Sequence, residues 1–150
     1  MDHNSSDWIE CETTKHQDHV IAHVLGATVL GWFIAGDAAQ LLLDIGFLWT
    51  IYLDGEMNLL PQGVAISEMD ASELSSAAKT EVAFDAQLLL SKGPDAGGLK
   101  RITAAPVECL ITAVECLAAN SDRRNVVHGE SARIEVVTSL ETAEVSVVAA

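Results

Sequence analysis

The chain has no lysine or arginine between Lys15 and Lys79, yet that interval carries eight Asp or Glu. An unpaired carboxylate buried there would cost several kcal/mol or more, so its counter-charge has to come from a distant arginine, a nearby histidine, a metal ion or a partner protein. Basic residues are scarce throughout, eight against 22 acids, for a net charge of −14. That balance excludes nucleic-acid binding, which needs Lys and Arg to displace phosphate counterions. It argues equally against docking on an anionic membrane surface.

Cysteine is equally sparse. Cys11, Cys109 and Cys116 form an odd set with no framework spacing, so reduced thiols and a cytoplasmic location are expected. Long hydrophobic runs are missing too. Val20 to Gly36 and Ala38 to Leu53 are strongly apolar, but each falls short of the ~20 residues a spanning helix needs. The first is interrupted by His23 and three glycines and the second by Asp44, so a buried core is expected rather than a membrane segment. The opening Met1 to Asp7 is acidic and polar, unlike the basic start of a signal peptide.

Catalytic motifs are absent. The stretch His19 to His23 has valine where a zincin helix carries its general-base glutamate. Asp54, Glu56 and Asn58 imitate a calcium loop, but Leu59 and Ala65 stand where glycine and glutamate belong. Gly129 to Arg133 breaks the nucleophile-elbow pattern at its last residue. Gly97-Gly98 lacks the lysine and hydroxyl residue of a phosphate loop.

What is present fits one domain of 150 residues, with hydrophobic content near half. Residues 1–13 read as a mobile lead-in, with Trp8 and Ile9 suggesting that part of it docks, and 14–150 as a single globular domain. A helix is expected from His16 to about Leu30, with 28–36 open between helix end and buried strand. Asp37 suits the N-cap of a short helix to Asp44. Phe47 to Leu53 and Glu56 to Leu60 flank Asp54-Gly55, a strong hairpin signal, and Val64 to Ser67 reads as a short strand. Asp70 with Glu73 resembles a capping box for a helix to about Ser91. Pro106 to Ala119 places Val107, Leu110, Ile111, Val114 and Leu117 on one helical stripe, with Cys109 and Cys116 opposite. Asn120 to Arg124 is a polar break, and strands are expected at Ala132 to Thr138 and Ala143 to Val148. The expected fold is therefore α+β: a single two-layer domain with three or four helices packed on antiparallel hairpins, 47–60 and 132–148.

Three functional readings follow. The first is a non-catalytic, acidic interaction or regulatory protein whose lysine- and arginine-free region receives a basic protein partner. Plain solubility and a high-salt source explain the same acidity. The second is a metal-binding protein or metal-dependent enzyme. His16, His19 and His23 share one helix face, and the i, i+4 pair His19/His23 can grip a divalent transition metal such as zinc. The third is a binder of small apolar ligands, with Trp32, Trp49 and Tyr52 lining a pocket and Asp44 pointing inward. Homodimerisation is compatible with all three.

Overall fold

The computed structural model describes residues 8–149. It is a mixed α/β domain with two five-stranded antiparallel sheets and, among the described residues, three helices. The central sheet is a meander of β2 (Thr28–Ala35), β3 (Ala38–Leu43), β4 (Phe47–Tyr52) and β5 (Met57–Pro61), extended beyond β2 by β6 (Thr103–Leu110). The outer sheet runs β1 (Ile9–Glu10), β7 (Ala113–Ala119), β8 (Asp122–His128), β9 (Arg133–Ser139) and β10 (Glu144–Ala149).

Two cores divide the apolar residues. Trp32, Leu41, Leu43, Trp49 and Ile51 face Val127, Ile134 and Val136 of the outer sheet. Leu30, Phe33, Leu42 and Leu48 project from the opposite face of the central sheet. There they meet α2 (Gln62–Glu68) and α3 (Ser76–Lys92) through Ile66, Val82 and Leu89. Three layers result, instead of the two expected, and the hairpins 47–60 and 132–148 belong to different sheets. Helices α2 and α3 cover only the central one.

Helix α1 (Lys15–Val24) sends Val20 and Val24 into the core between the sheets. Its start is fixed by a capping box in which Thr14 and Gln17 satisfy each other's backbone amides at 3.0 and 2.9 Å. The Gln17 amide also donates to the Gly55 carbonyl at 2.9 Å, tying the helix to the β4–β5 turn.

Several expected elements are corrected. The first helix ends at Val24 instead of about Leu30, residues 28–35 take the strand alternative, and the helix expected over 37–44 is the two-residue turn Gly36-Asp37 followed by β3. Both faces of the central sheet are covered, so β3 is buried along its whole length and shows no strand alternation. Val64 to Ser67 lies inside α2. Asp70 caps a turn, and α3 starts later, with Ser75 as N-cap accepting from the Ala78 amide at 3.2 Å.

The largest correction concerns 106–119, which is two strands. The chain leaves the central sheet at Leu110, and Ile111 exchanges backbone hydrogen bonds with Gly26 and Ala27. It then enters the outer sheet as β7. Cys109 and Cys116 point into the core, while Val107 and Leu110 are exposed. The polar break at Asn120 to Arg124 is a tight turn leading into β8.

In β2 a bulge between Val29 and Gly31 lets Val29 and Trp32 share one face at a spacing of three. Gly31 is needed there, since a Cβ would sit 2.5 Å from the Thr103 carbonyl oxygen and 2.9 Å from Ile102.

Candidate functional site

An antiparallel meander returns every second turn to the same end of its sheet. The β2–β3 turn, Gly36-Asp37, and the β4–β5 turn around Asp54-Gly55 therefore lie side by side, because Ala38 pairs with Tyr52. The α2–α3 connection arrives above them. Asp70 folds it by accepting hydrogen bonds from the Ser72 hydroxyl at 2.6 Å and from the Ser72 and Glu73 amides at 3.0 and 3.2 Å. Glu73 is set against the turn so closely that a Cβ on Gly36 would lie 3.2 Å from its Cγ. Leu140, from the β9–β10 turn, closes the far wall. At the same end Thr138 donates to the Leu53 carbonyl at 2.7 Å and joins the two sheets.

Between these turns lies an open cleft of about 840 Å³. Its carboxylates are Asp37, Asp54, Glu56 and Glu73, and among the described residues no lysine, arginine or histidine lines it. Every lining residue except Leu140 comes from 35–73, inside the interval without basic residues. The ion pairs of the described residues use Glu81, Glu115 and Glu135, none of which lies in the cleft. Arg123 packs behind Gly55, but its guanidinium donates to the carbonyls of Asn120 and Asp122 and belongs to the neighbouring pocket. Tyr52, 41 % exposed, forms the floor between the acids.

A smaller pocket of about 130 Å³ shares Tyr52 and Glu73 with the cleft and runs under α2, lined also by Gln40, Thr50, Asn58 and Glu68. Asp44, Asp37 and Asp54 are exposed and Glu56 is half-buried, so the acids of the apolar stretch need no buried counter-charge.

The buried acid is Asp85 on α3, 0 % exposed. Its carboxylate accepts from three consecutive backbone amides, Lys100, Arg101 and Ile102, at 2.6–3.0 Å. A carboxylate in such a nest is satisfied by backbone dipoles instead of a basic side chain.

The sequence-derived candidates fall in different places. Trp32 and Trp49 are in the inter-sheet core, where the indole nitrogen of Trp49 is buried without a hydrogen-bond partner. Tyr52 is at the cleft. Asp44 is at the opposite end of β3, accepting from the Thr28 amide at 2.9 Å. These four are not brought together. His16, His19 and His23 all sit exposed on α1. The His19 and His23 rings lie 4.5 Å apart, and His23 Nδ1 is 2.9 Å from the His19 carbonyl. Among the described residues no group of three His, Cys, Asp or Glu comes together in metal-holding geometry.

Burial pushes the Cys116 thiol up to about 11, helped by the nearby Cys11, Asp18 and Glu10, and burial raises Cys109 as well. Neither thiol is set up as a nucleophile.

No helix among the described residues is long and apolar enough to cross a membrane. Comparisons with protein-family models, with curated proteins and with solved structures found no match to this chain.

Proposed function

We propose that this is a non-catalytic, acidic interaction protein whose cleft receives a basic segment of a partner protein. One observation carries the reading: four carboxylates line a single open cleft with no basic side chain among the described residues that line it. Carboxylates gathered in a concavity with low-dielectric walls concentrate the negative potential and attract cations. Their spacing is wide, since no three converge on a point. That suits a chain of separate positive charges better than one metal ion. The free thiols of all three cysteines accord with a reducing, cytoplasmic setting.

The test is titration of a labelled lysine- and arginine-rich peptide at low ionic strength. Binding is expected to weaken steeply with salt and to fall about 10- to 100-fold when Asp37, Asp54 and Glu56 are changed to Asn, Asn and Gln. Equal binding by the native protein and this triple variant would overturn the reading.

A second reading rests on the stacked pair His19/His23. With His23 Nδ1 held at the His19 carbonyl, the Nε2 atom of His23 is left to ligate a transition metal. A further ligand would come from another molecule, including a second copy of this chain. About half an equivalent of zinc per chain, retained by the native protein and lost in a His19→Ala, His23→Ala variant, would support it.

A further inference from the structure

The small pocket under α2 holds an unused hydrogen-bonding group. Gln40 is only 2 % exposed and lines that pocket. Its Oε1 accepts from the Thr50 hydroxyl at 2.6 Å, and among the described residues its amide nitrogen has no partner. That nitrogen is not among the enclosed atoms without a partner, so this end of the amide opens onto the pocket, where water or a ligand satisfies it. The two ends of a glutamine amide exchange by rotation, and a threonine hydroxyl both donates and accepts. Either end of Gln40 can therefore face the pocket while the other stays on Thr50.

We propose that this pocket takes a guanidinium group, an inference that rests on the cleft above being a receiver of cations. With its oxygen turned outward, Gln40 offers an acceptor at the back of a pocket whose rim carries Glu68 and Glu73. The ring of Tyr52, shared by pocket and cleft, offers a face on which a planar cation stacks. A volume of about 130 Å³ is the share of roughly four waters at about 30 Å³ each. That admits one planar side-chain head and little more. Guanidinium brings five donors in a fixed plane and sheds its hydration readily. An ammonium is a strongly hydrated point charge with three donors and gains less from a buried amide acceptor. The open cleft supplies attraction for any cation, and the inner pocket distinguishes arginine from lysine.

The experiment compares dye-labelled tetra-arginine and tetra-lysine peptides by fluorescence anisotropy at about 50 mM salt, where charge attraction is only partly screened. The native protein is expected to bind tetra-arginine about tenfold more tightly or better. Gln40→Leu is expected to bring the two affinities together while leaving tetra-lysine unchanged. Glu68→Gln, at an exposed site that does not threaten folding, is expected to reduce the same preference.

Competition by N-acetylarginine amide identifies the source of the group. Displacement of the peptide near equal concentration marks a free small guanidinium compound, and displacement only at large excess marks an arginine within a protein segment. Equal affinity for the two peptides in the native protein would overturn the pocket's role and leave the cleft reading standing. A preference that survives both substitutions would also overturn it. Binding of neither peptide would remove the cleft reading itself.

Discussion

Two carboxylate environments of this chain are stabilised by opposite means. Asp85 is fully enclosed and held by the amides of Lys100, Arg101 and Ile102. The cleft acids Asp37, Asp54, Glu56 and Glu73 stand around an open space, with no basic residue lining it among the described residues. The first arrangement is complete within the chain. The second faces open solvent, with Arg123 packed behind the Asp54-Gly55 turn. An acid whose charge is answered inside the fold contributes to stability, and a group of acids answered from outside is available for recognition.

The sharpest way to break this comparison is Asp85→Ala. It removes the acceptor of three amides and is expected to cost about 3 kcal/mol or more, read as a lower urea midpoint with peptide binding by the folded fraction intact. An unchanged midpoint would mean that the nest does not hold α3 to the 100–102 segment.

The next effect uses a group that stays neutral when buried. With the Cys116 thiol raised from 9.0 to about 11, the folded protein keeps a proton that the unfolded chain releases. Its contribution is complete below pH 9 and is lost as pH climbs through 11, by up to about 2–3 kcal/mol. Melting temperatures of native protein and Cys116→Ala, followed from pH 8 to 11, should therefore converge as pH rises. Parallel curves would exclude this source.

Neutralising the cleft by Asp37→Asn, Asp54→Asn, Glu56→Gln and Glu73→Gln should do the reverse of Asp85→Ala. Stability is expected to hold or rise, by no more than about 1 kcal/mol at low salt, because repulsion among like charges is relieved. A loss of several kcal/mol in thermal unfolding would show these acids to be structural.

The smallest effect belongs to Asp70, whose carboxyl is held below its ordinary value of 3.8, chiefly by the Ser72 hydroxyl; desolvation opposes this, and the amides of Glu73 and Ser72 and the charge of Lys79 add to the lowering. Its contribution is present above that value and lost as pH falls through the lowered one. Carboxyl NMR should show Asp70 titrating at a lower pH than in a Ser72→Ala variant.

Sequence alone made some of this legible. Asp54-Gly55 between strand-like flanks marked the β4–β5 hairpin because turn chemistry is local. The absence of lysine and arginine from 16–78 was equally visible, and the cleft is lined almost wholly from that interval. Pairing of Ala38 with Tyr52, which sets the two acidic turns side by side, is a matter of register and leaves no local signal. Gln40 was missed because it sits inside an apolar run, Ala38 to Leu43, whose burial on both faces removes the strand period. Residues 106–119 mislead for another reason. Two strands joined by a corner at Ile111 place Val107, Leu110, Val114 and Leu117 at helical spacing by coincidence, while the residues that enter the core include Cys109 and Cys116.

The corner at Ile111 also sets a timetable. On the ribosome β2 to β5 emerge well before the outer sheet that covers Trp32, Leu41, Trp49 and Ile51. At about 5–20 residues per second, the roughly 75 residues from β5 to β9 keep that face waiting for several seconds or more. Closing the sandwich then joins Gly26 and Ala27 to Ile111, a pairing of distant segments of the kind that slows folding. During that wait the emerged half carries acids at its turns and no lysine or arginine from 16 to 78. Mutual repulsion between nascent chains would then keep them apart until the second sheet arrives.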